Sequence, residues 1–263
     1  MDDPLWQQIK QKGRLDHFPV HWLESTESTN HLAMELGKAG AESGTVVVAE
    51  TQTRGRGRLG KSWQSPKGSG LYFSMVTHST LAPNELARIT LATGLAVCMA
   101  IEQQGSLRPM IKWPNDLLLE NRKFCGILCE NFGPLGQGGS LVVIGIGINV
   151  NTPREAFSAD LTEKATSLLI HQGRSMQRGA LLQAVLLQLE RALSQLEGGG
   201  FASILKQWCQ RDVTLGKTTT WLRTDGRVVT GLSLGPDHDG LLQIRDRKGQ
   251  VHEVLSGDLS LKT

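Results

Sequence analysis

Apolar residues recur at helical spacing in several stretches of the chain and form short continuous runs in others. A spacing of three or four keeps side chains on one helix face, whereas a β-branched run of four to eight residues is typical of a buried strand. A Ser/Thr cluster precedes Leu32, Leu36 and Ala39, and Gly40 ends that run, so a helix is predicted there. Further helices are predicted from Pro83 to Ile101 and over residues 178–196 and 201–211.

Strand-like runs lie between these helices. They cover residues 45–50, 71–78, 109–113, 116–130 and 140–150. The fourth run is interpreted as a hairpin around Asn121-Arg122. Before them, the first 20 residues hold one short amphipathic stretch and little else.

The pattern changes after residue 212. Short strands are predicted over residues 218–224, 227–235, 240–246 and 250–256, joined by Asp-Gly, Asp-Gly and Lys-Gly turns. Short strands at this spacing favour a small antiparallel barrel. Residues 1–212 and 213–263 are therefore predicted to form two domains.

Composition excludes several classes of protein. The chain has 263 residues, 28 Lys+Arg against 25 Asp+Glu, and 39% hydrophobic residues, which argues against disorder. No run of about 18 apolar residues is present, and the N-terminus lacks the apolar region of a secretory signal. The four cysteines show no metal-ligand spacing, so free thiols and a cytoplasmic location are predicted, with no metal site made by the protein.

The densest cationic feature is the stretch TRGRGRLGKSW. Arg54, Arg56, Arg58 and Lys61 fall within eight residues, with glycines between them and no acid. Such a loop can bind an anion, because glycine lets backbone N–H groups converge and arginine offers forked donors. A solvated basic loop and a nucleic-acid contact remain alternatives at this point.

Two further motifs carry chemistry. Lys112 ends an apolar run just before Trp-Pro, where a cation near an anion-binding loop can neutralise phosphoryl charge, although it could equally cap an edge strand. Glycines alternate in GIGINVN (145–151), which indicates that another backbone or a ligand approaches closely. Neither a dinucleotide-binding GxGxxG before a helix nor a Walker A motif is present.

Taken together, these motifs resemble those of the biotin–protein ligases. The matching segments, in the order of that family, are STN (28–30), ETQTRGRGRLGKSW (50–63), SPKGSGLYFSM (65–75), KWPND (112–116), RKFCGIL (122–128) and GIGINVN (145–151). The resemblance implies an α+β fold, in which helices flank a mixed β-sheet (a class II synthetase-like catalytic domain) and a small SH3-like barrel follows. It also implies two reactions: biotin and ATP form biotinyl-5′-AMP, and a lysine of a biotin carboxyl carrier protein then takes the biotinyl group.

The resemblance also implies roles for residues. Arg58 and Lys112 would be catalytic, with Mg²⁺ accompanying ATP. The implied biotin-binding residues are Ser28, Thr29, Asn30, Gln52, Arg56, Gly57, Arg58, Lys112 and Gly126, and the implied ATP-binding residues are Arg58, Trp63, Lys112, Asn115, Lys123 and Asn149. Asp116 is a candidate for deprotonating the acceptor lysine, since an ordinary lysine is only about 0.1% neutral at pH 7. The loop 54–63 is expected to order over the adenylate.

Some readings stay open. About 20 residues before STN are too few for the DNA-binding domain of bifunctional members, so a ligase that binds no DNA is expected. The alternatives are a lipoate– or octanoate–protein ligase of the same superfamily and a non-enzymatic nucleic-acid-binding protein. Neither a monomer nor a homodimer is favoured by the sequence.

Overall fold

The computed structural model describes residues 3–135, 138–222, 226–254 and 258–261. Its helices are α1 (Pro4–Lys12), α2 (Thr29–Lys38), α3 (Ala87–Gln104), α4 (Leu168–Gln172), α5 (Arg178–Glu197) and α6 (Phe201–Cys209). Its strands are β1 (Arg14–Leu15), β2 (Phe18–Leu23), β3 (Val46–Ala49), β4 (Leu71–Ser79), β5 (Met110–Lys112), β6 (Asp116–Leu119), β7 (Arg122–Pro134), β8 (Ser140–Ile148), β9 (Thr218–Leu222), β10 (Val228–Pro236), β11 (Leu242–Asp246), β12 (Val251–Val254) and β13 (Asp258–Leu261).

The strands form two sheets. The larger has eight strands in the order β1-β2-β3-β4-β8-β7-β6-β5, in which β2 and β3 are parallel and the other pairs antiparallel. The smaller has five antiparallel strands in the order β12-β11-β10-β9-β13. The predicted α+β class, a mixed sheet flanked by helices with a small antiparallel sheet after it, is confirmed.

The two faces of the large sheet differ. One face packs against α3 and α5 and holds the main hydrophobic core, to which β8 contributes Ile144, Ile146 and Ile148. α3 is buried nearly all round, because the sheet covers one side and α5 and α6 cover others. The opposite face is covered by α2 over a small cluster that includes Ala33, Val76 and Val143. Beyond that cluster the face is polar and rich in glycine.

Several predicted elements differ from those observed. The helix expected from Pro83 begins at Ala87, because residues 83–86 form a tight turn in which the N–H of Glu85 donates to the carbonyl of Ala82. The hairpin expected around Asn121-Arg122 turns one residue earlier, since Glu120 and Asn121 both have positive φ (47° and 63°), as a two-residue turn requires.

Other corrections concern missed and shortened elements. The first 20 residues were expected to hold little beyond one amphipathic stretch, yet they form α1, β1 and the start of β2. α4 and β13 were not predicted, and the helix expected to reach residue 211 ends at Cys209.

Of the predicted glycine turns, those at Asp239-Gly240 and Lys248-Gly249 are present. In the third, Asp225 lies outside the described residues.

The two sheets are joined at a specific contact. The indole N–H of Trp113, just after β5, donates to the carbonyl of Gly240 at 3.0 Å, and Arg88 pairs with Asp239 at 2.6 Å. Asp212 follows α6 and bridges to Ile111 of β5. The predicted division after residue 212 falls in the connection between α6 and β9 and stays a prediction.

Candidate active site

Three glycines leave the polar face of the large sheet without side chains. Gly126 of β7 lies opposite Gly147 of β8 in the antiparallel register. A Cβ atom on Gly147 would lie 2.6 Å from the ring of Trp63, and one on Gly126 would lie 2.9 Å from it. A Cβ on Gly145 would lie 1.9 Å from Oδ1 of Asn30. The alternating glycines predicted the close approach of a backbone or a ligand, whereas the groups that lie over them are the side chains of Trp63 and Asn30. We call Gly126 and Gly147 the glycine floor.

A hydrogen-bonded group of polar side chains borders this floor. Thr29, the first residue of α2, donates its backbone N–H (2.9 Å) and its hydroxyl (3.1 Å) to Oε1 of Gln52. The amide nitrogen of Gln52 donates to the hydroxyl of Ser65 at 3.1 Å. The hydroxyl of Ser74 lies 2.8 Å from Oγ1 of Thr29 and 2.6 Å from Oδ1 of Asn30. Ser74 was not predicted, because one buried serine in an apolar strand gives no distinctive signal.

Asn30 connects this group to the edge of the loop formed by residues 54–63, which we call the Gly/Arg loop. Its amide nitrogen donates to the carbonyl of Leu128 (3.1 Å) and to Oε2 of Glu130 (2.8 Å). The same carboxylate oxygen accepts from Nη2 of Arg56 at 3.0 Å. Asn30 is 5% exposed, and its side chain links α2 to β7. Its predicted part in biotin binding stays a prediction.

The Gly/Arg loop forms a small hairpin of its own. The N–H of Trp63 donates to the carbonyl of Gly55 (2.9 Å), and the N–H of Gly57 donates to the carbonyl of Lys61 (2.7 Å). Its first residues are tied to the segment before α2, because the N–H of Arg54 donates to the carbonyl of Glu27 at 2.8 Å. These bonds hold the loop beside the glycine floor and carry Trp63 onto it. Further ordering of the loop on binding stays a prediction.

Two cavities meet next to the floor. The smaller, of about 40 Å³, lies over the glycines and is bordered by Thr29 and Gln52. The larger, of about 540 Å³, extends away from it toward the small sheet. The residues that line both cavities are Gly57, Arg58, Trp63, Asn115 and Lys123. A group that passes from one cavity to the other must cross this junction, where two cationic side chains lie.

The junction is organised by ion pairs and amide contacts. Nζ of Lys123 lies 2.5 Å from Oδ1 of Asp116 and 5.4 Å from the centre of the Trp63 ring. Nη1 of Arg58 donates to Oδ1 of Asn115 at 3.3 Å, and the amide nitrogen of Asn115 donates to the carbonyl of Ile127 at 2.8 Å. The two cations are thus held in place by neighbouring side chains before any ligand binds.

The two lysines to which the resemblance gave roles, Lys112 and Lys123, lie in different places. Lys112 lines the larger cavity but not the smaller one, whereas Lys123 lines both. The sequence reasoning gave Lys112 to both the biotin carboxylate and the nucleotide phosphate, and Lys123 to the nucleotide. Lys123 therefore lies where the two cavities meet, and Lys112 lies in the larger cavity. Both assignments stay predictions.

The remaining predicted residues fall at different depths. Ser28 is buried at the N-terminus of α2, with no capping bond from its side chain, and borders neither cavity. Asn149 lines the larger cavity, and its amide nitrogen donates to the carbonyl of Thr166 at 3.0 Å. Arg56, Gly57 and Gly126 border the smaller cavity.

Some lining residues were missed by sequence reasoning. Phe157 and Leu161 reach the larger cavity from the segment after β8, and Leu222 and Leu259 reach it from the small sheet. Single apolar residues in connecting segments look like ordinary packing residues in a sequence, so no signal marked them. They give the larger cavity an apolar wall opposite its cations.

The cysteines border neither of these two cavities. Cys125 is buried on the core side of β7, and burial raises the pKa of its thiol well above the usual value. Cys129 has a pKa raised to about 11, also by burial. The predicted free thiols are confirmed, because all four cysteines are unpaired. Thiols with raised pKa values are poor nucleophiles at neutral pH.

Over the described residues, no group of three or more His, Cys, Asp or Glu side chains could hold a metal ion. Within the same ranges, the helices are too short or too polar to cross a bilayer.

Comparison with known proteins places this fold and site in a class of ligases. Residues 22–149 match the biotin/lipoate A/B protein ligase family. The chain belongs to that family. It is 34% identical to the bifunctional ligase/repressor BirA of Bacillus subtilis, covering 91% of this chain and 72% of that one. It is 31% identical to the biotin–[acetyl-CoA-carboxylase] ligase of Paracoccus denitrificans, covering 87% and 95%.

A solved structure agrees with this membership. The biotin protein ligase of Aquifex aeolicus, in complex with biotin and ATP, superposes with a TM-score of 0.77 at 31% identity and covers 92% of this chain and 98% of its own. The resemblance predicted from the six motifs is confirmed.

Proposed function

We propose that the protein is an ATP-dependent biotin–protein ligase. The observation that carries this proposal is the junction at Arg58 and Lys123, where a small polar pocket over the glycine floor meets a large cavity. A reaction that joins a carboxylate to a nucleotide needs two adjoining pockets with cations between them. The Aquifex relative that shares the fold binds biotin and ATP.

Biotin occupies the smaller pocket in this proposal. Its ureido group is polar on both edges, and each buried donor or acceptor left unpaired would cost about 1–3 kcal/mol. Thr29 and Gln52, already hydrogen-bonded to each other, supply a hydroxyl and an amide at that depth. The present 40 Å³ accommodates only a few water molecules, so the Trp63 ring moves off the glycine floor when the ligand enters.

The nucleotide occupies the larger cavity. Its phosphates lie toward Lys112, Arg58 and Lys123, and its base lies toward the apolar wall that includes Phe157. Asp116 supplies a carboxylate at this cavity. Mg²⁺ commonly binds through one or two carboxylates together with substrate phosphates, so Asp116 would hold an ion that arrives with ATP. When bound, Mg²⁺ neutralises phosphate charge.

The first reaction follows from the charges at the junction. A carboxylate oxygen of biotin attacks the α-phosphorus of ATP, the bond from that phosphorus to the bridging oxygen breaks, and pyrophosphate leaves. Bringing these anions together is unfavourable without cations, and Arg58 and Lys123 stabilise the charge that develops. No protein nucleophile is needed, which agrees with the raised pKa values of Cys125 and Cys129.

The second reaction transfers the biotinyl group to a lysine. The amine attacks the acyl carbon, AMP leaves, and the amine loses a proton. A third cavity of about 480 Å³ lies on the other side of the Gly/Arg loop and shares Arg56, Gly57 and Arg58 with the small pocket. It gives the acceptor a route to the acyl carbon that the nucleotide does not block. Asp116, once released from Lys123, is a candidate acceptor for the proton.

The acceptor is proposed to be the biotin carboxyl carrier protein of acetyl-CoA carboxylase. The support is the name of the Paracoccus relative, a biotin–[acetyl-CoA-carboxylase] ligase. A cytoplasmic location is proposed with it, supported by four unpaired cysteines. The expectation that the protein binds no DNA stays a prediction, and a choice between monomer and homodimer is not made.

ATP–pyrophosphate exchange tests the proposal directly. Purified protein with Mg²⁺ would be given biotin, lipoate or octanoate in turn. Exchange that depends on biotin is expected, because the polar group around Thr29 and Gln52 suits a ureido ring better than an alkyl chain. Exchange with lipoate or octanoate, and none with biotin, would indicate that the protein is a lipoate– or octanoate–protein ligase of the same family. Folded protein that supports no exchange, but binds polynucleotide with steep salt dependence, would support the nucleic-acid alternative.

A further inference from the structure

A buried carboxylate lies just outside the site, at the point where β3 ends. Glu50 is 4% exposed and directly follows Ala49, the last residue of β3. Its Oε1 atom accepts from the indole N–H of Trp6 at 2.7 Å and from Nη2 of Arg178 at 3.2 Å. Its Oε2 atom accepts from Nη1 of Arg178 at 2.8 Å. The two reactions proposed above do not use this group.

This carboxylate joins segments that are far apart in the sequence. Trp6 belongs to α1, and Arg178 begins α5 and also donates to the carbonyl of Gly70, next to β4, at 3.0 Å. The guanidinium of Arg178 lies 4.3 Å from the centre of the Trp6 ring, and Nζ of Lys10 lies 3.6 Å from Oε1 of Glu50. Two helices and two strands therefore meet at one charged group.

Glu50 is ionised despite its burial. Desolvation opposes the charge, but the hydrogen bonds from Arg178 and Trp6, with the positive charges of Arg178 and Lys10, outweigh it and lower the pKa of Glu50. Removing one partner from a buried charged group costs more than removing an exposed pair, because the remaining charge is left without compensation. Small changes at Glu50 would therefore move the segment that carries it.

That segment leads straight into the small pocket. Thr51 donates its hydroxyl to the carbonyl of Ser65 at 2.7 Å, and Gln52 accepts from Thr29. Three consecutive side chains are thus fixed by three different parts of the molecule. Two residues of extended chain span only about 7 Å, so a displacement at Glu50 is passed to Gln52 with little chance to relax.

We propose that Glu50 is a positioning residue for the biotin pocket, through which α1 and α5 fix the place of Gln52 and the Gly/Arg loop. The inference deepens the proposed function and rests on it. It gives α1 a part in ligand affinity, although α1 borders none of the three cavities described above. In this proposal Glu50 acts through Gln52 and does not itself touch the substrate.

Glu50→Gln tests this role, because glutamine keeps the size and removes the charge. The dissociation constant for biotin, measured by calorimetry without ATP, is expected to rise about tenfold or more, as small misplacements of binding groups do. The KM for ATP in pyrophosphate exchange is expected to stay within about twofold of the wild-type value, because the proposed ATP contacts lie in the larger cavity. A merely structural role would not separate these two constants.

Glu102→Gln is the matched control. Glu102 in α3 accepts from Nε (3.0 Å) and Nη2 (2.8 Å) of Arg211, a comparable two-bond ion pair remote from the pockets. Urea unfolding of both variants would show that each loses stability. Only Glu50→Gln is expected to lose biotin affinity. Equal biotin affinities for the two variants would overturn the inference.

Trp6→Phe keeps the experiment decisive if Glu50→Gln fails to fold. Phenylalanine removes the indole donor and retains a ring beneath Arg178, so a smaller loss of biotin affinity in the same direction is expected. If wild-type protein binds biotin and Trp6→Phe binds it equally well, the inference fails and the proposed function stands. If folded wild-type protein binds no biotin, the proposed function itself fails.

Discussion

The ammonium group of Lys123 lies 2.5 Å from the carboxylate of Asp116, on the neighbouring strand, at the place where the two main cavities meet. This ion pair holds the ammonium group in place before substrates arrive. When the carboxylate of biotin and the α-phosphate of ATP enter, each becomes an alternative partner for Nζ. The same movement would release Asp116 for the proton of the acceptor lysine.

Lys123→Ala and Lys112→Ala are expected to change different kinetic constants. Removing a positioned cation that stabilises transition-state charge typically lowers kcat about 10²–10³-fold, and this is expected for Lys123→Ala in biotin-dependent pyrophosphate exchange. Lys112→Ala is expected mainly to raise the KM for ATP, because Lys112 lines the nucleotide cavity alone. Arg54→Ala, an exposed change in the same loop, serves as the control. The opposite order of the two lysine variants would restore Lys112 as the catalytic lysine.

Gly147→Ala tests the glycine floor. The added methyl group would lie 2.6 Å from the Trp63 ring, so the ring or the ligand must move, and biotin binding is expected to weaken by about 1–3 kcal/mol. Gly94→Ala in α3 is the control, since its Cβ meets only ordinary contacts of 3.7–3.8 Å. Calorimetry measures both. Unchanged affinity in Gly147→Ala would show that biotin does not lie over this strand.

Trp63 should report ligand binding by fluorescence. Its ring lies on the glycine floor, and its buried indole N–H has no hydrogen-bond partner within the described part of the chain, so displacement by biotin changes its surroundings. A biotin-dependent change in tryptophan emission is expected for wild type, although five other tryptophans contribute background. The change should vanish in Trp63→Phe. Its persistence in that variant would place the reporter elsewhere.

Asp212 should make stability depend on pH. Burial raises the pKa of its carboxyl group. Oδ1 accepts from Thr214 at 2.7 Å, whereas Oδ2 has no hydrogen-bond partner among the residues that the structure describes. A group whose pKa is raised on folding favours the folded state at low pH, and this contribution is lost as pH rises through the folded-state pKa. The stability of Asp212→Asn relative to wild type should therefore increase as the pH is raised from about 4 to about 7, roughly the range over which a carboxyl group with a raised pKa loses its proton. Urea midpoints at both pH values measure this, and a pH-independent difference would contradict it.

Sequence patterns were sufficient for the large elements and for the motif residues around the cavities. They were not sufficient to choose between Lys112 and Lys123. Lys123 lies opposite Leu118, next to an irregularity in the pairing of β6 with β7 between Leu117 and Leu118. A bulge of this kind leaves no mark in a pattern of apolar residues. The contact between Trp6 and Glu50, 44 residues apart, is likewise set by tertiary packing alone.

Strand β8 gives the molecule two separate targets for variation. Its odd-numbered positions 145 and 147 face the ligand side, and the isoleucines at 144, 146 and 148 face the core. Changes at one set would alter which acids enter the pocket, and changes at the other would alter how firmly the sheet holds together. Any side chain added at 145 must displace Asn30, and any added at 147 must displace Trp63, so a library aimed at altered acyl preference would have to vary these two contact residues together with the glycines.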